Sequence, residues 1–87
     1  MHNLTQSQQA ILSQLVFAEP WEHILRETGL SPGVIRDDLI NLSHHNMIEV
    51  FESSGDRAGA PVRHFDNDHP EAFWYRATKS GLQTLSL

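Results

Sequence analysis

Histidine is the residue type that first suggests chemistry in this sequence, because six histidines occur among its 87 residues. Two groups stand out, the adjacent His44 and His45 and the run HFDNDH at 64–69. Zinc requires a tetrahedral set of nitrogen, sulfur or oxygen ligands. Neighbouring residues on a helix point about 100° apart, so only one of His44 and His45 can join a given site. No HExxH or other regular spacing is present, and the sequence therefore predicts no metal site and no cofactor.

The segment Asp-Asn-Asp at 66–68 resembles the start of a calcium-binding loop. Such a loop continues with a further ligand, a glycine and a closing glutamate, whereas this chain has Pro70, Glu71 and Ala77 at those positions. The glycine-containing segment 55–59 lacks the lysine and the strand-to-helix context of a nucleotide loop. No nucleophile elbow or pair of buried carboxylates can be identified. The sequence is therefore interpreted as that of a protein that is not an enzyme.

The elements that would position functional residues are clearest in the stretch 24–50. One helix is expected to end at Gly29, because glycine readily adopts the left-handed backbone of a tight turn. Ser31 is a favourable N-cap residue, and Pro32 fits the first position of a helix, where its missing N–H has no cost. A second helix is therefore predicted to begin at this point.

The second helix is predicted from its apolar spacing. Ile35, Leu39 and Leu42 recur at i, i+4 and i+7, which places one apolar stripe on a helix that runs to about residue 45. Asn46 favours a left-handed stop, and 47–51 has the β-branched and aromatic pattern of a strand. A helix, a glycine turn, a capped helix and a strand form the layout of a helix-turn-helix that leads into a β-wing.

This stretch resembles the core of the winged helix-turn-helix transcriptional regulators of the MarR, PadR and ArsR kind, whose common pattern is roughly eIaeeTGLSxxxVrrxLxxLxxxGlIe. A second stretch, YRATKSGL at 75–82, is similar to the YxLTxxGxxxL pattern that closes the wing and opens the last helix in those families. The resemblance implies an α+β, mainly α, winged helix fold that has a three-helix core, a two-stranded β-wing and a short C-terminal helix. It implies a single domain over 1–87, with the helix-turn-helix at about 21–45 and the wing at about 47–77. The residues that carry the first match are Ile24, Thr28, Gly29, Leu30, Ser31, Ile35, Arg36, Leu39, Leu42, Ile48 and Glu49.

The resemblance also implies a function, because in those regulators the outward face of the third helix enters the major groove. This chain is accordingly expected to be a sequence-specific transcriptional regulator that binds double-stranded DNA, with the wing on the backbone or in the minor groove. Asp37 and Asp38 depart from the family pattern, since a carboxylate repels phosphate even though it can accept from a cytosine amino group. The residues expected to contact DNA are Ser31, Pro32, Gly33, Arg36 and Asn41 of the helix and Arg57 and Arg63 of the wing.

Net charge supports a second hypothesis. Six Lys and Arg against eleven Asp and Glu give a charge of −5, whereas nucleic-acid binders are usually basic on at least one face. The alternative is an acidic winged helix that binds another protein and does not bind DNA. It would use Ile40, Trp74 and the acidic face of the third helix.

The remaining elements are predicted from capping and composition. Thr5 and Gln8 form a capping box for a first helix over 6–18, and Thr78 caps a last helix over 79–85. The segment 52–72, rich in Gly, Ser and Pro, is expected to be a long loop between the two wing strands. The expected core consists of Ile11, Leu15, Ile24, Leu25, Leu30, Ile35, Leu39, Leu42, Ile48, Val50, Tyr75 and Leu82.

Composition limits the setting of the protein. The absence of cysteine fits a reducing compartment, and no apolar run reaches the roughly 20 residues that span a bilayer, so a cytoplasmic location is expected. A chain of this length buries only a small core. A homodimer through the terminal helices is therefore expected, with its apolar surface formed by Leu12, Val16, Phe17, Leu82, Leu85 and Leu87.

Overall fold

Helices and strands are combined in one α+β fold in the computed structural model, which describes residues 3–63 and 65–85. The strands form an antiparallel sheet in the order β1-β4-β2-β3. The α+β class predicted from the sequence is therefore confirmed. The elements in chain order are α1 (Gln6–Ser13), β1 (Glu19–Pro20), α2 (Trp21–Thr28), α3 (Pro32–His44), β2 (Ile48–Ser54), β3 (Arg57–Pro61), a 3-10 turn (Pro70–Ala72), β4 (Phe73–Ala77) and α4 (Lys79–Leu85).

The first helix begins where the sequence predicts. Thr5 Oγ1 accepts a hydrogen bond from the Gln8 backbone N–H at 3.1 Å, and Gln8 Oε1 accepts from the Thr5 N–H at 3.1 Å. These two bonds satisfy donors that the first turn of a helix leaves without a partner inside the helix. The predicted capping box is therefore present.

The predicted end of this helix is wrong, because α1 stops at Ser13 and does not continue to residue 18. The Ala77 N–H donates to the Leu15 carbonyl at 2.8 Å, and β1 pairs with β4. Residues 14–18 therefore form an irregular connection that leads from α1 into β1. Val16 and Phe17, expected on a helix, are 54% and 76% exposed outside any helix.

The two helices of the predicted helix-turn-helix have the predicted limits. α2 ends at Thr28 and is followed by Gly29 in the left-handed region at φ 68°. Ser31 Oγ accepts from the Val34 N–H at 3.4 Å and caps α3. Asn46 has φ 57°, the left-handed stop that its side chain tolerates. Local capping chemistry therefore determines both ends of α3.

The predicted long loop over 52–72 is wrong, as is the two-stranded wing. β2 continues to Ser54, the chain turns at Gly55 with φ 67°, and β3 returns beside it with Ser54 opposite Arg57. β4 then pairs with the other edge of β2. The sheet therefore has four strands, and residues 62–72 connect β3 to β4.

The hydrophobic core includes side chains from α1, α2, α3, β2 and β4. Leu25 and Leu30 are partly buried against it, whereas Leu82, predicted to be buried, is 36% exposed. Leu12, predicted to lie on the dimer surface, is fully buried. The predicted core residues that the structure buries are Ile11, Leu15, Ile24, Ile35, Leu39, Leu42, Ile48, Val50 and Tyr75.

Gly81 explains why Leu82 points outward. A Cβ at Gly81 would lie 2.2 Å from the Met47 carbonyl oxygen, so only glycine allows α4 to approach the backbone that follows α3. The Thr78 N–H donates to the same carbonyl at 2.9 Å. The side of α4 that carries Gly81 therefore faces the core, and the Leu82 side chain is left at the surface.

Gly81→Ala should lower the free energy of unfolding by roughly 1–3 kcal/mol, since α4 must move away from Met47. Gly33→Ala is the matched control, because a Cβ at Gly33 meets nothing within 4 Å. Alanine in that helix should raise stability by up to about 1 kcal/mol. Urea unfolding followed by circular dichroism measures both values. Equal effects of the two substitutions would contradict the close approach of α4.

Tyr75 provides a second test of the core. Its side chain is fully buried, its hydroxyl donates to the Pro70 carbonyl at 2.6 Å, and the Phe65 ring packs edge-on against it at 5.8 Å. Burial and the negative charge of Glu71 raise the pKa of the Tyr75 hydroxyl. The neutral phenol is thus favoured in the folded state, whereas the unfolded chain releases this proton near pH 10.

Stability contributed by this pKa shift is complete below about pH 10 and is lost as the pH rises above that value. Tyr75→Phe should lower the unfolding free energy at neutral pH by about 1 kcal/mol through the lost hydrogen bond. It should also flatten the alkaline decline. Unfolding free energies measured from pH 8 to pH 11 give both effects. Because Tyr75 is the only tyrosine, tyrosinate absorbance that rises near pH 10 in the folded protein would exclude this account.

Candidate nucleic-acid interface

The outward face of α3 contains the residues predicted to bind DNA. Ile35, Leu39 and Leu42 are fully buried, so the opposite side of the helix faces solvent. Each predicted contact residue from the first turn through the middle of the helix is exposed. These residues are Ser31, Pro32, Gly33, Arg36 and Asn41.

One flank of α3 is attached to α1. Asp38 Oδ2 accepts a hydrogen bond from Ser7 Oγ, and Asn41 Oδ1 accepts from Gln8 Nε2 at 3.5 Å. Asp38 is therefore partly buried in the contact between the two helices. The sequence suggested two acidic residues on the outward face, but the structure leaves Asp37 as the exposed one.

Arg36 lies beside this remaining carboxylate. Its Nε is 3.6 Å from Asp37 Oδ1, and about half of the Arg36 side chain is exposed. An exposed ion pair of this kind has little effect on stability and is easily separated. Arg36 and Asp37 together therefore present one group of donors and one group of acceptors at the surface of α3.

Arg63 lies beside the second half of α3. Together with Ile40, Ser43 and His44 of the helix and Asn67 of the following segment it lines a cleft of about 360 Å³. No carboxylate among the residues that the structure describes lies within ion-pair distance of Arg63. Its guanidinium is therefore a cation next to the face of α3 that has no acidic partner in the described part of the chain.

Arg57 is in a different place. It begins β3 directly after the turn that contains Gly55 and Asp56, and these two turn residues line a cleft with Trp21 at the start of α2. Arg63 comes two residues after β3 ends. The structure therefore does not gather Arg57 and Arg63 into one wing surface beside α3.

The residues of the alternative hypothesis are also separated. Ile40 lines the cleft beside Arg63, whereas Trp74 lines the cleft near Trp21. The cleft near Trp21 was not predicted from the sequence, because this cleft depends on the pairing of β1 with β4, which has no local sequence signal. The cleft beside Arg63 was not predicted either, because it depends on the course of the connection 62–72.

Comparison of the chain with protein-family models, with curated proteins and with solved structures finds no match. Within 3–63 and 65–85, no group of three or more His, Cys, Asp and Glu residues is arranged to hold a metal ion, and His64 lies outside those residues. No helix in the described part of the chain is long and apolar enough to cross a membrane. The resemblance to winged helix regulators therefore depends on the motifs at 24–50 and 75–82.

Proposed function

We propose that this chain is a winged helix-turn-helix domain that binds double-stranded DNA as a sequence-specific transcriptional regulator. The observation that carries the proposal is the geometry of α2, the turn and α3. Gly29 and Ser31 fix the turn, and three buried apolar residues fix the inner side of α3. Its outward side is exposed at Ser31, Gly33 and Arg36. A helix held in this way can enter the major groove, which admits one α-helix.

The sheet supports the winged helix proposal. β2 starts four residues after α3 ends and pairs with β4, which leads into α4. This is the helix, strand, strand, helix order that the resemblance implies. The hairpin strand β3 is an addition on the outer edge of β2, and β1 is an addition beside β4.

The contacts divide into reading and positioning roles. Ser31 caps α3, and Gly33 and Arg36 lie in its first part. These three residues would face base edges, with the Arg36 guanidinium donating to guanine. Asp37 would accept from a cytosine amino group. Arg63, without a carboxylate partner among the described residues, would contact a phosphate beside the helix.

The net charge of −5 is compatible with this proposal because of where the ion pairs lie. Glu49 accepts from Arg76 at 3.0 Å, and Glu27 lies 3.4 Å from Arg26, both outside α3. Asp38 is occupied by Ser7. The exposed α3 face thus has one carboxylate, and a dimer would present two copies of Arg36 and Arg63.

Selection from random duplexes should enrich a motif that contains G·C pairs, in half-sites about one helical turn apart, roughly 34–36 Å. Arg36→Ala should cost about 1–3 kcal/mol at the guanine it contacts and relax specificity there. Arg63→Ala should weaken all sequences alike and reduce the salt slope by about one. Arg26→Ala, on α2 and paired with Glu27, is the matched control and should change neither property.

Asp37 distinguishes the two hypotheses. In a DNA reader, Asp37→Asn should raise general affinity for duplexes and weaken the preference for cytosine, because it removes a charge that repels phosphate. If no duplex is enriched at low salt, and Asp37→Lys creates a general affinity that the native protein lacks, the protein-interaction hypothesis replaces this one.

We also propose a homodimer, which rests on exposed apolar residues at α1 and α4. Val16, Leu82 and Leu85 line a groove of about 480 Å³ beside Ala10, and Phe17 nearby in sequence is 76% exposed. Exposed apolar surface of this kind is typical of association sites. Of the residues predicted for this surface, Leu12 is buried and Leu87 lies outside the described residues.

Sedimentation equilibrium at micromolar concentration should give twice the mass of 9.9 kDa. Val16→Lys should shift the protein to monomer without unfolding it, because this side chain is more than half exposed. Val34→Lys changes an exposed apolar residue on α3 and should leave the mass unchanged. A native protein that stays monomeric at high micromolar concentration contradicts the proposal.

A further inference from the structure

A second cleft, of about 340 Å³, lies where the start of α2, the turn between β2 and β3 and the 3-10 turn come together. Trp21 and Glu22 line it from α2, Asp56 from the hairpin turn, Glu71 from the 3-10 turn and Trp74 from β4. We call it the tryptophan cleft. None of its residues belongs to α3 or to the proposed DNA contacts, so it is independent of the proposed function.

The charge around the tryptophan cleft is negative. Glu22, Asp56 and Glu71 line it, and no lysine or arginine does. None of the three forms an ion pair within the described part of the chain, whereas Arg26, Arg36 and Arg76 each pair with a carboxylate outside the cleft. Arg57, next to Asp56 in sequence, does not lie within ion-pair distance of these carboxylates. The cleft therefore has an uncompensated negative field.

The tryptophans supply the second observation. Trp21 is only 8% exposed, and Trp74 is partly buried. Among the hydrogen bonds of residues 3–63 and 65–85, the N–H of neither indole has an acceptor. A buried indole N–H usually has a partner. Trp21, a largely buried residue in the wall of the cleft, thus has an indole N–H with no acceptor among the residues that the structure describes.

These features together identify the chemistry of a ligand. Indole faces attract cations, and carboxylates add to that attraction. The acidic residues are not arranged to hold a metal ion, within the residues that the structure describes. The cleft volume of about 340 Å³ lies near the lower limit of the range that is typical of small-molecule sites. A flat guanidinium stacks on aromatic rings, is weakly hydrated and donates in a fork to carboxylates, whereas a compact ammonium ion makes fewer of these contacts.

We propose that the tryptophan cleft binds an arginine side chain of a partner polypeptide. The guanidinium lies against the indole of Trp74 and donates to Glu22 and Glu71. A main-chain carbonyl of the same partner accepts the N–H of Trp21. The occupant thus combines a cation, which pairs with the carboxylates of the cleft, and a neighbouring carbonyl, which accepts a hydrogen bond from the Trp21 N–H.

Intrinsic fluorescence is a direct assay, because the chain has two tryptophans and both line the cleft. The probes are N-acetyl-arginine methylamide, the corresponding citrulline compound and propylguanidine. Citrulline keeps the shape of arginine without its charge, and propylguanidine keeps the single guanidinium charge without a carbonyl. We expect a saturable fluorescence change with the arginine compound, weaker binding of propylguanidine and no binding of the citrulline compound.

The variants test the carboxylates. Glu22→Gln and Glu71→Gln should each weaken binding of the arginine compound roughly tenfold, the expected scale for a charge-assisted hydrogen bond. Glu27→Gln, at the other end of α2 and outside the cleft, is the matched control and should leave affinity unchanged. Glu22, Glu71 and Glu27 are all exposed, so none of these substitutions should prevent folding.

Three results would overturn the proposal. The citrulline compound could bind as well as the arginine compound, which would exclude recognition of charge. Glu22→Gln and Glu71→Gln could bind the arginine compound as tightly as Glu27→Gln does, which would show that the cation binds outside the cleft. Propylguanidine could bind as tightly as the arginine compound, which would exclude a role for the polypeptide carbonyl and indicate a free guanidinium compound as the ligand. These outcomes do not depend on DNA binding, since duplex selection measures a different surface.

Discussion

The pairing of β4 with both β1 and β2 is the constraint on which the other parts of this structure depend. Tyr75, at the centre of β4, is fully buried, and its hydroxyl fixes the Pro70 carbonyl in the preceding turn. Burying the hydroxyl of such a residue would be costly without that bond. With the bond, one side chain joins the connection 62–72, the sheet and the helical core. The position of β4 then determines where α4 begins.

Features that depend on local interactions were predicted from the sequence, whereas features that depend on the pairing of β4 were not. The limits of α2 and α3 were predicted correctly because Gly29, Ser31 and Asn46 act on their own backbone within a few residues. The end of α1 was predicted wrongly, since the Leu15 carbonyl accepts a hydrogen bond from the N–H of Ala77, far away in the chain. β3 was missed because its residues Ala58, Gly59 and Ala60 have little strand preference of their own.

The same distinction between local and long-range interactions applies to the candidate site. The exposure of Ser31 and Arg36 followed from the apolar stripe of α3, which a helical repeat makes visible. The engagement of Asp38 with Ser7 did not, because it depends on how α1 crosses α3. The sequence does not distinguish an exposed aspartate from one that is hydrogen-bonded to a neighbouring helix. On a helix proposed to face DNA the difference matters, because an exposed carboxylate repels phosphate. The separation of Arg57 from Arg63 likewise depends on a hairpin that has no strong periodic signal.

The attachments of α3 connect the proposed DNA face to the proposed dimer surface. On one flank, Asp38 and Asn41 accept from Ser7 and Gln8 of α1. At its end, Thr78 donates to the Asn46 and Met47 carbonyls and fixes the start of α4. α1 and α4 are also the elements that line the apolar groove. If two copies associate through that groove, short hydrogen-bonded connections fix each α3 relative to the dimer axis. Half-site spacing would then be set by the packing of α1 and α4, and not by the wing.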